Sequence, residues 1–311
     1  VTSAAEVDLA VSVGSVRLPN PVMPASGTAG HGTELGAYVD LGGLGAVVVK
    51  SLAATPWPGN PPLRVHQTPA GMINSVGLQG PGVERWLVDD LPGLLATGAR
   101  VVASIWGRSV DEYRAAADLL AEAPPGVVAV EVNLSCPNVS GHGIFAQSAP
   151  DSAAVIAATA GCGRPRWAKL TPLVTDITEV AGAVLDAGAE ALTVANTVPG
   201  LAIDVETRRS HLGGGMGGLS GPAIHPIAVR AVYECRAAHP DAAIVGVGGI
   251  ARGVDAVEML LAGADAVQVG TATFADPRAC AVVLDELAAW CRAHDVPRVA
   301  DLTGGAHDPD R

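Results

Sequence analysis

The chain has 311 residues, 49% apolar and 16% charged, with 31 acidic against 19 basic side chains and a net charge of −12. That balance repels a phosphate backbone, and no basic stripe offsets it, so nucleic acid is excluded as a partner. No apolar run reaches the roughly 18 residues needed to cross a bilayer, and residues 1–9 carry neither a basic region nor a signal-like apolar block. The expectation is a cytoplasmic protein with no membrane partner.

Apolar runs rich in β-branched residues predict strands at 21–25, 46–50, 101–106, 127–133, 166–171, 191–196, 243–248 and 266–270. Helical patterns lie between them, among others at 110–122, 176–187, 224–238 and 254–262, each ending near a Gly or Pro that stops it. The strands are continuously apolar rather than alternating, which implies burial on both faces in a parallel sheet. Eight such units close most simply as an α/β TIM (β/α)8 barrel, one domain over residues 1–311. A doubly wound open sheet is the alternative, but no G-x-G-x-x-G follows an early strand. The glycine run Gly213 to Gly218 follows the sixth strand and reads as a mobile or close-packing loop. Two connections, 51–82 and 197–221, are too long for turns and leave the C-terminal ends of strands, where long ordered loops usually carry function.

Five irregularly spaced cysteines without C-x-x-C fit no disulfide framework, structural zinc site or iron–sulfur cluster. Cys235, Cys280 and Cys291 fall in predicted helices and Cys162 in a Gly-rich connection, so all four read as packing residues. Glu131 and Asp265 stand on strand or pre-strand positions without neighbours, and no metal site is expected. His31, His142, His211 and His225 are scattered in loops; only His142, close in sequence to Cys136, stays open as a functional candidate.

The strand ends carry the chemistry. Ser26-Gly27 follows the first strand, Lys50-Ser51 the second, and Asn133-Leu134-Ser135-Cys136-Pro137-Asn138 the fourth. Lys169 lies in the fifth, Asn196-Thr197 closes the sixth, and Gly248-Gly249-Ile250 and Gly270-Thr271 close the last two. Glycines in βα turns let backbone N–H groups approach phosphate oxygens with no Cβ in the way, although any barrel needs tight turns there. Lysine is rarely buried unpaired, so Lys50 and Lys169 point to an anion or an electron-rich ring at the barrel mouth. Together with a phosphate site they suit flavin mononucleotide, FMN.

With these residues in place, the chain resembles the class 1 dihydroorotate dehydrogenases, most of all the class 1B catalytic subunit. The resemblance covers nearly the whole chain. It rests on Asn133 to Asn138, on Gly71-Met72-Ile73-Asn74-Ser75-Val76-Gly77-Leu78-Gln79, on Gly218-Leu219-Ser220-Gly221-Pro222, and on Gly246 to Ile250 with Val269-Gly270-Thr271. It implies a barrel that holds FMN and oxidises dihydroorotate to orotate in pyrimidine synthesis. Cys136 takes the base position, removing a proton from C5 while hydride leaves C6. Asn74, Asn133, Asn138, Asn196 and Thr197 hold the substrate, with Val76, Gly77 and Leu78 as backbone contact and wall. Lys50 touches substrate and flavin. Ser26, Ser51, Ser104, Asn133, Lys169, Ala195, Gly221, Gly248, Gly249, Gly270 and Thr271 bind FMN. The resemblance also implies a homodimer, or a heterotetramer with a second subunit carrying FAD and an iron–sulfur cluster, since this chain has no cysteine spacing for the cluster. Gly141 and Gly143 would let the segment 137–147 act as a lid.

Two positions depart from the family pattern. Ser104 stands where an Asn is usual, and Ala195 where a larger aliphatic is usual, with Trp106 a candidate to refill that space. They motivate a second reading, an FMN barrel acting on a different dihydropyrimidine or related substrate. A third is a barrel that binds a phosphorylated ligand without redox chemistry.

Overall fold

The computed structural model describes residues 7–135 and 144–308. Eight parallel strands build its central sheet: β1 (Val22–Pro24), β2 (Val47–Val48), β3 (Val101–Ile105), β4 (Val127–Asn133), β5 (Arg166–Lys169), β6 (Ala191–Val194), β7 (Ala243–Val247) and β8 (Ala266–Val269). Their order is β1-β8-β7-β6-β5-β4-β3-β2, each strand beside its neighbour in sequence. The Gly45 N–H donates to the Val22 carbonyl at 2.9 Å and links the two ends of that order. A Cβ on Gly45 would lie 2.4 Å from the Asn20 carbonyl oxygen, so this approach requires glycine. The sheet is an α/β barrel, as the eight apolar runs predict.

The strands are shorter at their C-terminal ends than the apolar runs suggest. Lys50, Trp106, Thr171, Asn196, Gly248 and Gly270 all lie just beyond the last ladder residue. There the backbone leaves the sheet, and all of them but Trp106 line the cavity at the barrel mouth.

Two intervening helices show why local sequence specifies them. Ser109 caps Val110–Leu119 by accepting from the Glu112 N–H, and Tyr113, Ala116 and Ala117 form its buried face at i, i+3 and i+4. Asp176 does the same for Ile177–Asp186, which buries Ile177, Val180, Ala181 and Val184. An N-terminal hairpin, Val11–Val13 with Val16–Leu18, buries Val13 and Leu18. Its turn bonds Glu190 through the Ser15 hydroxyl at 2.6 Å, next to the start of β6, so it covers the end of the barrel opposite the mouth.

Both long connections contribute to an antiparallel sheet of four strands, in the order Val198–Gly200, Gly217–Ser220, Gly71–Asn74, Val65–Thr68. The expected loop at Gly213 to Gly218 is therefore only partly a loop, because Gly217 and Gly218 enter a strand. Glycine is needed for that pairing. A Cβ on Gly71 would sit 2.0 Å from the Ser220 carbonyl oxygen, and one on Gly217 2.4 Å from that of Asn74. Among the described residues, no helix is long and apolar enough to cross a membrane.

Candidate active site

The strand ends and the antiparallel sheet enclose a cavity of about 480 Å³, in the range of small-molecule and cofactor sites. Of the expected site residues, Ser26, Lys50, Ser51, Asn74, Val76, Gly77, Leu78, Asn133, Lys169, Ala195, Asn196, Thr197, Gly221, Gly248, Gly249, Gly270 and Thr271 all line it. Cys136 and Asn138 lie outside the described residues, as do His142 and most of the expected lid.

Ser104 is brought near the site but not into its wall. It is fully buried behind Ser51, sharing a hydrogen bond with the Ser51 hydroxyl at 2.9 Å and donating to Glu131 Oε1 at 3.3 Å. Trp106 does not line the cavity beside Ala195. It packs edge-on against Trp57, ring centres 5.6 Å apart, so the space left by Ala195 is not refilled from there.

The amides form a connected set. Asn133 donates to Ser51 Oγ at 3.4 Å and accepts from Asn196 Nδ2 at 3.1 Å; Asn196 Oδ1 in turn accepts the Thr197 N–H at 2.7 Å. Tyr113 on the preceding helix, Val110–Leu119, anchors the end of β4, its hydroxyl donating to the Asn133 carbonyl at 2.6 Å. Across the cavity Asn74 donates to the Gly218 carbonyl at 3.2 Å. Each amide is thus held in one orientation at the cavity wall.

Gly77 and Leu78 both adopt left-handed backbone conformations, at φ 71° and 62°. For Leu78 this conformation is strained, and it persists because the surroundings hold it. The Asn60 N–H donates to the Val76 carbonyl at 3.0 Å and the Trp57 indole to that of Gly77 at 3.0 Å.

Lys50 and Lys169 differ electrostatically. Burial lowers the Lys50 pKa, with nearby Arg64 adding to the effect, and no carboxylate among the described residues pairs with its ammonium. Lys169 forms an ion pair with Glu131 at 3.3 Å, where both side chains are almost wholly buried. Glu131 is thus not without neighbours, contrary to its isolated place in the sequence: it also accepts from Gln268 Nε2 at 2.8 Å. Asp265 likewise has a partner, Arg236 at 3.0 Å. Removing one member of a buried pair such as Glu131–Lys169 strands a charge at a cost of about 3–5 kcal/mol.

At the far side of the cavity lie the glycine turns. Gly249 has φ 72°, and a Cβ there would lie 2.6 Å from His225 Cβ and 2.9 Å from the Gly221 carbonyl oxygen. A Cβ on Gly248 would meet Ala228 Cβ at 2.6 Å. Thr271 donates to the Ser220 hydroxyl at 2.7 Å and ties the antiparallel sheet to the turn after β8. Glycine backbone, a connected set of amides and a lysine with no carboxylate partner among the described residues, all lining one cavity, fit a phosphorylated, electron-rich heterocycle.

Sequence reasoning missed several lining residues, among them Met72, Thr171, Leu173, Pro199, Ser220 and Phe274. The signal for Met72 and Ser220 was present in part, since both lie within the motifs quoted above. Leu173 and Phe274 carry no motif and reach the rim only through the course of the loops.

The sequence model of the family described as dihydroorotate dehydrogenase matches residues 8–290. The "Dihydroorotate dehydrogenase B (NAD(+)), catalytic subunit" of Desulforudis audaxviator is 47% identical over 304 residues, covering 97% of this chain and 98% of that protein. The proteins of the same name from Pelobacter propionicus and Trichlorobacter lovleyi are 43% and 44% identical, covering 96% and 95% of this chain and 98% and 97% of their own.

Proposed function

The chain belongs to the dihydroorotate dehydrogenase family, and from that premise we propose that it oxidises (S)-dihydroorotate to orotate in de novo pyrimidine synthesis. The observation that carries this reading is the cavity itself, which gathers Lys50, Asn74, Asn133 and Asn196 within reach of the glycine turns. Ser26, Ser51, Lys169, Ala195, Gly221, Gly248, Gly249, Gly270 and Thr271 would hold FMN, which when bound would supply the acceptor for the hydride leaving C6.

The remaining work belongs to the chain. The Asn74, Asn133 and Asn196 amides, with Asn138, orient the pyrimidine ring, and Thr197 completes their set. Lys50 meets the substrate carboxylate and offsets the charge that accumulates in the cavity during oxidation. Val76, Gly77 and Leu78 close over the ring and exclude water, which strengthens each polar contact beneath them. Cys136 removes the C5 proton at Sγ, a role that needs a reachable thiolate near neutral pH.

The names of the relatives, each a catalytic subunit of an NAD(+)-linked enzyme, support a further element of the proposal. The chain forms a cytoplasmic homodimer that docks a second subunit carrying FAD and an iron–sulfur cluster. The alternative of a changed substrate draws on Ser104 and Ala195, and Ser104 gives it little support because its hydroxyl is turned away from the cavity.

The test is anaerobic mixing of the purified flavoprotein with dihydroorotate while the flavin absorption band is followed. Bleaching is the expected result. A yellow protein that dihydroorotate does not bleach, but another dihydropyrimidine does, would overturn the substrate assignment.

A further inference from the structure

Glu131 is fully buried in the middle of β4, under the floor of the cavity. Both of its oxygens are used: Oε1 accepts from Lys169 Nζ and from the Ser104 hydroxyl, each at 3.3 Å, and Oε2 accepts from Gln268 Nε2 at 2.8 Å. Lys169 also donates to Gln268 Oε1 at 3.4 Å and to Ser26 Oγ at 3.1 Å. Glu131, Lys169 and Gln268, from β4, β5 and β8, therefore form a closed triangle, which leaves Gln268 a single amide orientation. The three N–H bonds of the Lys169 ammonium are all directed at protein acceptors.

Two consequences follow for a ligand in the cavity. Lys169 lines the wall and can touch a ligand there, but its charge is offset by a carboxylate 3.3 Å away, so it does not act as a free cation. Ser26 accepts from Lys169, so its own hydroxyl proton is available to the ligand. Lys50, with no carboxylate partner among the described residues, then carries the uncompensated positive charge.

We infer that Glu131 is a positioning residue that neutralises Lys169 beneath the bound flavin, so that Lys50 and not Lys169 sets how strongly the site favours the reduced, negatively charged ring. The inference rests on the reading of the cavity as an FMN site. Ser104 belongs to the same device. Its hydroxyl links Glu131 to Ser51, and Ser51 accepts from Asn133, so the carboxylate also holds the amide set in register.

The test is a spectroelectrochemical titration of the full chain reconstituted with FMN, read as the midpoint potential of the bound flavin. In Glu131→Gln the amide keeps the shape and loses the charge, exposing Lys169. The expected result is a shift to more positive potential, equivalent to at least tenfold tighter binding of reduced over oxidised FMN. An unchanged or more negative potential with FMN bound would overturn the inference.

Should that variant not fold, Glu131→Leu combined with Lys169→Met removes both charges together. A midpoint potential close to that of wild type supports a neutral pair. A clear fall shows that Lys169 acts as a free cation and overturns the proposal. Failure of the wild-type chain to take up FMN is a different outcome, because it removes the flavin reading itself along with everything built on it.

Discussion

The indole N–H of Trp57 donates to the Gly77 carbonyl at 3.0 Å, joining the outer loop of the barrel mouth to the segment Val76 to Leu78 that lines the cavity. Trp57 is itself held from two sides, by the edge of Trp106 at 5.6 Å and by the Arg108 guanidinium 4.7 Å above its ring. Trp57→Phe keeps most of the packing and removes the donor. One neutral hydrogen bond contributes about 1 kcal/mol, so the expected result is a rise in KM for dihydroorotate of about fivefold, with kcat changed less. Steady-state kinetics checks it, and an unchanged KM would separate this bond from the substrate segment.

At the glycine turns, Gly249→Ala places a Cβ 2.6 Å from His225 Cβ in a backbone conformation that alanine rarely adopts. Strain of this kind costs about 1–3 kcal/mol. The flavin content of the purified protein, read from its visible to ultraviolet absorbance ratio, should fall severalfold. Full occupancy in the variant would place the phosphate elsewhere.

Lys50 opposes stability in the unliganded chain. Burial lowers its pKa, so in the window between the folded and unfolded values the unfolded chain binds more protons, and stability rises with pH through that window. Below the folded value the cost of the buried charge is fully present. Lys50→Met should therefore stabilise the unliganded protein at neutral pH by about 0.5–2 kcal/mol while weakening orotate binding at least tenfold. Thermal melts with and without orotate check both halves, and a destabilised variant would mean that the ammonium has a partner.

Thiol chemistry separates Cys136 from the rest. Burial pushes Cys235 and Cys280 up to about 12 and also raises Cys162 and Cys291. All four are buried, so native protein should expose at most one fast-reacting thiol to a chromogenic disulfide. That thiol should disappear in Cys136→Ser. The same variant should retain its flavin, reduce it about 10²–10⁴-fold more slowly at neutral pH, and recover as pH rises, because a serine hydroxyl gives up its proton far less readily. A rate insensitive to the substitution would remove Cys136 from the base position.

Much of the fold was legible because buried parallel strands leave a local record. Val127–Asn133 begins and ends at its predicted residues, and the other seven strands differ from prediction mainly where their last residues leave the ladder for the mouth. The antiparallel sheet over the mouth was not legible. Val65–Thr68 alternates weakly and is half exposed, and Gly217–Ser220 is a strand because Met72 to Asn74 lie opposite it on one side and Val198 to Gly200 on the other. In the site, Lys50, Asn133, Lys169 and Asn196 were recognisable as polar groups at the ends of apolar runs, whereas Leu173 and Phe274 were not. Which way Ser104 faces was not, since a serine on a strand end is compatible with either wall or support.

The sequence by itself determined the barrel and the identity of its mouth, because both depend on residue type at positions a few residues apart. Only the tertiary structure decided the electrostatics. Glu131 meets Lys169 38 residues away and Gln268 137 residues away, and barrel closure brings them together in an interior where water cannot screen them. Two lysines that look equivalent in the chain thereby become different, one neutralised and one left to face a ligand.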